Sequence, residues 1–136
     1  MAEAEGNITA KKNGALSFGD YLSTEKILVD GFAFGKDSYD LETHAETTRL
    51  VKNGATIVET APGAAFKDLL VKKGKISFKI KGSEGTRLTL RLESDSLYRI
   101  TIEDHDIGNF KTNGAGNLSV GIDLDDEFKT IEAIKK

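Results

Sequence analysis

The chain has 136 residues, 38% hydrophobic and 30% charged, which supplies enough apolar material for the core of one domain. Its 19 basic and 22 acidic residues leave a net charge of -3 with no evident basic stripe, and this balance argues against a nucleic-acid partner. The absence of cysteine excludes disulfides, thiolate catalysis and cysteine-ligated zinc, and the sequence predicts no cofactor.

The first seven residues are acidic and small, and they predict a mobile tail (1–7) ahead of a single domain that spans 8–136. They lack the apolar segment of a signal peptide. No run of residues approaches the roughly 18 apolar residues of a membrane-spanning helix. We therefore expect no membrane partner, and a location either in the cytoplasm or associated with a bacterial surface.

Turn signals divide the first half of the chain into short segments. Asn13-Gly14 and Asn53-Gly54 each lie between strand-like flanks and predict tight hairpins, because both residues tolerate the positive φ of a type I′ turn. Pro62-Gly63 suits the two central positions of a type II turn. Asn113-Gly114 lies in a glycine-rich stretch and indicates a longer loop.

Two segments are compatible with helix. Residues 64–71 favour a short turn of helix, and residues 125–128 are able to start a second one. For the segment that follows, around Ile131 and Ile134, we expect a strand, because the sheet needs a partner there.

Apolar and polar residues alternate through four successive runs between Lys75 and Leu124. Period-two alternation places every second side chain on one face of a sheet, and it predicts half-buried strands. Ile100 and Ile122 should point inward, whereas Arg99, Thr101 and Ser119 should face solvent. With the earlier runs, the pattern predicts about ten short strands in a single antiparallel β-sandwich, jelly-roll or Ig-like. The alternating apolar residues are Ile76, Phe78, Ile80, Leu88, Leu90, Leu92, Tyr98, Ile100, Ile102, Leu118, Val120, Ile122 and Leu124.

Two acidic clusters are the candidate metal sites. Asp104, His105 and Asp106 follow Glu103 at a predicted hairpin tip, and they indicate either a metal or acid/base site or a polar turn. Asp123 and Asp125 stand at alternate positions, as calcium ligands often do, but no glycine follows them. The alternative for this second cluster is a solvated loop.

Five segments spread over nearly the whole chain share their order and spacing with one known family: 16–21, 39–43, 48–54, 59–65 and 111–118. On these segments the chain resembles small clostridial and related Firmicutes proteins of about this length, often labelled endosialidase. The shared motifs are turn and strand signatures, so the resemblance implies a compact β domain. Endosialidases proper are large trimeric enzymes with propeller and β-helix domains. The resemblance therefore leaves the activity of this chain open.

The sequence contains no grouping of residues that indicates catalysis, and we expect a protein that is not an enzyme. The predicted function is a structural or interaction module that forms a homo-oligomer through its sheet edges or through an N-terminal strand at 8–10. The alternative is a carbohydrate-binding module with a glycan ligand, in one version assisted by calcium. The size of the protein in solution and its binding to glycans would separate the two.

Overall fold

The computed structural model describes residues 8–136, and in this range it shows an all-β fold of thirteen strands. The tail predicted for residues 1–7 lies outside the described residues. Residues 8–136 contain no helix long and apolar enough to cross a membrane. The strands are β1 (Ile8–Ala10), β2 (Leu16–Phe18), β3 (Ile27–Phe34), β4 (Asp37–His44), β5 (Thr47–Lys52), β6 (Ala55–Ala61), β7 (Ala65–Lys72), β8 (Lys75–Lys81), β9 (Thr86–Arg91), β10 (Leu97–Ile102), β11 (His105–Lys111), β12 (Asn117–Ile122) and β13 (Lys129–Lys135).

The strands form two antiparallel sheets, as expected of an all-β sandwich. The seven-stranded sheet has the order β1-β2-β7-β8-β13-β10-β11, and the six-stranded sheet has the order β12-β9-β6-β5-β4-β3. The predicted fold class is confirmed, with thirteen strands in place of about ten. The last segment is a strand, β13, as expected, and it pairs with β8 and β10 in the middle of its sheet.

The predicted inward residues meet in one core that draws on both sheets. Ile100 is 1% exposed and Ile122 is 6% exposed, so the predicted register of their strands is confirmed. Ser119 is exposed, whereas Arg99 and Thr101 are half-buried on the outer face. Burying a large aliphatic side chain contributes about 1.5–3 kcal/mol, and this shared core is therefore what holds the two sheets together.

Residues 64–71 were predicted to favour helix, and that prediction is wrong because most of them belong to strand β7. The register of β7 shifts between Lys67 and Leu70, where Asp68 has a φ of 56°. The bulge places Phe66 and Leu69 in the core although they are three residues apart. A spacing of three is typical of a helix face, which explains why the sequence was misleading here.

The turns were only partly predictable. Asn53-Gly54 forms the expected two-residue turn between β5 and β6, with φ values of 50° and 86°. Asn113-Gly114 lies in the expected longer loop between β11 and β12. The hairpin predicted at Asn13-Gly14 is present, because β1 and β2 pair antiparallel across it, but its connection is longer than the expected tight turn, and Asn13 Oδ1 accepts a hydrogen bond from Ala15 N at 3.0 Å within it.

The type II turn predicted at Pro62-Gly63 is wrong. Gly63 lacks the positive φ that the second central position requires. Its backbone is instead pressed against the carbonyl of His44, where a Cβ atom would overlap the oxygen, and its N–H donates to Ala45 O at 3.0 Å. Gly63 is therefore required by a close approach of two backbones.

Candidate functional site

The first acidic cluster is a two-residue turn followed by the start of a strand. Glu103 and Asp104 form the turn with φ values of 51° and 67°, and His105 and Asp106 are the first two residues of β11. Two contacts are local: Asp106 Oδ1 accepts from Gly108 N at 2.8 Å, and His105 Nδ1 lies 3.3 Å from the Glu103 carbonyl oxygen. Glu103 also bonds to β13, because its Oε2 accepts from Thr130 N at 2.7 Å and its own N–H donates to Thr130 O at 2.9 Å. These contacts stabilise the turn.

The second cluster lies in the loop between β12 and β13. Asp125 Oδ1 accepts a hydrogen bond from Glu127 N at 3.0 Å, and the Asp123 carbonyl accepts one from Lys129 Nζ at 3.0 Å. In the range 8–136, no three His, Asp or Glu side chains are arranged to hold a metal ion. Metal binding by Asp104, His105, Asp106, Asp123 and Asp125 thus stays a prediction from the sequence.

A denser group of charges, which the sequence analysis missed, surrounds Glu42 on the outer face of the six-stranded sheet. Arg49 of β5 bonds to the Glu42 carboxylate, and His44 Nε2 and Lys26 Nζ lie 3.7 Å and 3.8 Å from Glu42 Oε2. Burial opposes ionisation of Glu42, but Arg49 outweighs it, and the pKa of Glu42 is lowered. The geometry and the direction of this shift are those of an ion pair between Glu42 and Arg49.

A groove of about 400 Å³ lies on the outer face of the seven-stranded sheet. We call it the Phe128 groove, because the ring of Phe128 forms one side of it and remains 37% exposed. Lys81 Nζ lies 4.7 Å and Lys67 Nζ lies 5.8 Å from the centre of that ring, both within reach of a cation–π interaction. Lys67 also lines the groove, together with the polar residues Thr9, Ser17 and Asp20, whereas Lys81 lies beside it next to Phe128.

The groove lies on a sheet face that carries more lysine and arginine side chains than the linear sequence indicated. Lys67 of β7 and Lys79 of β8 lie directly opposite each other. Because the basic residues come from separate strands, no basic stretch appears in the linear sequence. The outer positions of this sheet carry Lys67, Lys72, Lys75, Lys79, Lys81, Arg99 and Lys111 against Asp68, Asp106 and Glu132.

Three of the four sheet edges are unsuited to pairing with another chain. Within residues 8–136, strand β1 comprises three residues. The register of β3 shifts between Val29 and Phe32, where Gly31 N donates to Asp40 Oδ1 at 2.8 Å. The pairing of β11 also shifts, opposite Ile100, and this strand carries Asp106 and Lys111. Short strands, bulges and charges are the usual protection of an edge.

The fourth edge, formed by Asn117–Ile122 and called here the β12 edge, has none of these features. β12 pairs with β9 along all its residues without a register shift. It contains neither a charged residue nor proline. In the described part of the chain β9 is its only strand partner. Asn117 bonds to Asn113 through its own N–H and C=O, and beyond it the other side of β12 presents unpaired backbone N–H and C=O groups. The uncharged run from 117 to 122 was visible in the sequence, but its position at an edge was not.

The architecture and these surfaces define the class: over residues 8–136 the protein is all-β, with two antiparallel sheets, an open edge at β12 and a groove beside a basic face. Comparison of the chain with protein-family models, curated proteins and solved structures found no match. The resemblance to the family labelled endosialidase therefore remains untested.

Proposed function

We propose that the protein is a non-catalytic structural module that self-associates by pairing the β12 edge of one copy with the β12 edge of a second copy. The observation that carries this proposal is the unprotected state of that edge: an uncharged, unbulged strand with β9 on one side only. An open strand of this kind is a template for strand addition.

The β12 edge is complementary to itself. Antiparallel pairing about Val120 places this residue opposite its own copy, Leu118 opposite Ile122, and Ser119 opposite Gly121. Residues opposite each other in an antiparallel pair point to the same side. The core-facing sides of the six-stranded sheets of the two copies would therefore become continuous. Leu118 and Ile122 are buried and Val120 is half-buried, as this arrangement requires. Because β12 has no charged residue, pairing of two β12 strands places no like charges opposite each other.

The contacts of the N-terminal strand favour the β12 edge as the route of association. Ile8 pairs with Phe18 of the same chain and is 1% exposed. Strand β1 therefore contributes to the sheet of its own chain. In the described part of the chain, its free side offers three residues to a partner.

The energetics indicate a reversible dimer. Each hydrogen bond of the new ladder contributes about 0.5–1.5 kcal/mol. Association costs about 4–15 kcal/mol in lost translational and rotational freedom, so a ladder of this length needs the added packing of Val120 and its neighbours. We therefore expect a dimer whose population depends on protein concentration.

The test compares two lysine substitutions on different edges. Val120→Lys places a charge at the centre of the β12 edge, whereas Ile107→Lys makes a similar change on β11, where Ile107 is 39% exposed. Sedimentation velocity over a range of concentrations should show a dimer for the wild type and for Ile107→Lys, and a monomer for Val120→Lys. A wild type that stays monomeric at millimolar concentration, or equal losses in both variants, would refute the proposal.

Folding of the variants needs its own control. Val120 is half-buried, and a lysine there is able to lower stability as well as association. Circular dichroism should show an unchanged β spectrum. Ser119→Lys, at an exposed position of the same strand, repeats the test with less effect on the core. If Ser119→Lys and Val120→Lys are both folded and both dimeric, the β12 edge is not the interface.

Carbohydrate binding is the second candidate function, favoured by the exposed ring of Phe128 beside a groove with polar lining. A sugar presents apolar C–H groups to an aromatic ring and hydroxyls to polar side chains. A glycan array with and without a chelator tests both binding and calcium assistance. Binding of no glycan would reject this candidate, and equal binding with chelator would reject the calcium version.

A further inference from the structure

We infer that the Phe128 groove binds saccharides that carry carboxylate groups. This inference rests on the second candidate function, carbohydrate binding, and names its ligand class. Lys67 and Lys81 contact the carboxylate, and the ring of Phe128 packs against the sugar.

The aromatic ring supplies the apolar part of the site. Phe128 ends the loop that leads into β13, and it lies over the basic face with 37% of its surface exposed. Ligand pockets are typically lined by aromatic side chains with a small number of placed polar groups. In this groove the ring offers a platform next to charged groups.

The lysines supply the charge that selects an acidic ligand. Lys81 and Lys67 stand over the Phe128 ring, and Lys67 lies directly opposite Lys79. Like charges opposite each other on a sheet are unfavourable. Among residues 8–136, no carboxylate lies within ion-pair distance of these three lysines. Asp68, bound to Lys11 at 2.6 Å, offsets part of the repulsion, because its pKa is lowered by Lys11 and also by the charges of Lys67 and Lys79. A ligand carboxylate would relieve this repulsion.

Polar groups on the groove suit the hydroxyls of a sugar. Thr9 of β1 and Ser17 of β2 are paired residues that both line the groove. Ser17 Oγ accepts a hydrogen bond from Asp68 N at 3.1 Å, and its own O–H remains free to donate. Asp20 also lines the groove and repels a carboxylate, so it would turn the acidic group toward Lys67.

The experiment measures binding of two oligosaccharides matched in length, a hexamer of galacturonic acid and a hexamer of galactose, by isothermal titration calorimetry. The acidic hexamer should bind at least about tenfold more tightly than the neutral one, and less tightly as salt rises. Phe128→Ala and the double variant Lys67→Gln, Lys81→Gln should each weaken binding by about tenfold or more. Lys75→Gln is the matched control on the same sheet, because Lys75 is paired with Glu132 at 3.5 Å. It should bind as the wild type does.

Each outcome has a definite meaning. If both hexamers bind equally and Phe128→Ala removes both, carbohydrate binding is supported and the acidic specificity is refuted. If neither hexamer binds, both the specificity and the second candidate function are refuted. Inorganic phosphate serves as a competitor: if it displaces the acidic hexamer at an equal concentration, the groove is a general anion site and the assignment to saccharides is wrong.

Discussion

Strands β11 and β12 follow each other in the chain, and each forms one edge of its sheet. The two edges differ sharply. β11 has a bulge, a glycine with a φ of 126° at Gly108, and charged residues, whereas β12 is regular and uncharged. One edge is protected from strand addition and the other is open to it. If a copy pairs through β12 with its own equivalent, both open edges are consumed and the assembly stops at two chains.

The loop between β11 and β12 is held in place by several hydrogen bonds. Thr112, in the loop that joins β11 to β12, is buried, and its Oγ1 donates to the Glu93 carbonyl and accepts a hydrogen bond from Ser96 N at 2.9 Å. The Gly116 carbonyl accepts from Leu92 N at 2.7 Å. These bonds hold the loop before β12 and so fix the residue at which β12 begins.

The largest expected effect comes from the core beneath the protected edge. Ile100→Ala removes a buried side chain from β10 and should lower the free energy of unfolding by about 2–5 kcal/mol. Ile107→Ala makes the same change on β11 at a position 39% exposed and should cost about 0.5 kcal/mol or less. Urea denaturation of the two variants measures this difference. Similar costs would mean that Ile107 of β11 is packed as tightly as Ile100 of β10, which would contradict their exposed fractions.

A smaller effect is expected from a matched pair of glycines. Gly108 has a positive φ that valine rarely adopts, and Gly108→Val on β11 should lower stability by about 1–3 kcal/mol. Gly121 lacks a positive φ, and a Cβ there meets open space. Gly121→Val should therefore leave thermal stability nearly unchanged, because valine suits a strand.

The same pair also tests the association of the β12 edge. Gly121→Val adds an apolar side chain to the proposed dimer interface and should raise the dimer fraction in sedimentation velocity. Gly108→Val should leave the dimer fraction unchanged under conditions where it is folded. An increase for Gly108→Val and none for Gly121→Val would place the interface on β11.

The smallest effect is expected far from both edges, at the ion pair of Glu42 with Arg49. The pKa of Glu42 is lowered in the folded state, so its contribution to stability is present above its ordinary pKa of 4.5 and is lost as the pH falls through the lower folded value. Urea midpoints at about pH 7 and pH 3 should therefore differ less for Glu42→Gln than for the wild type. The dimer fraction at neutral pH should be the same for both proteins. An equal acid sensitivity would show that the pair adds nothing to stability.

Much of the fold was predictable because it depends on local patterns. The alternation around Ile100 and Ile122 predicts strands with a buried face, and the structure buries both residues. Asn53-Gly54 predicts its turn because the two backbone conformations depend on those two residues alone. At β7 the local pattern was misleading, because a bulge at Asp68 changed the spacing of the buried residues.

The candidate surfaces depend on contacts between residues that are distant in sequence. Residues 117–122 read as an ordinary uncharged strand, and only the strand order shows that β12 lies at an edge. In the same way, Lys67, Lys81 and Phe128 are brought together from three separate elements. In the regular strands β8, β9, β10 and β12 the sequence alone determined which residues are buried, because the period of a strand is a local property. Tertiary structure decided which strand has no neighbour and which charges share a face, because both depend on the pairing of distant segments.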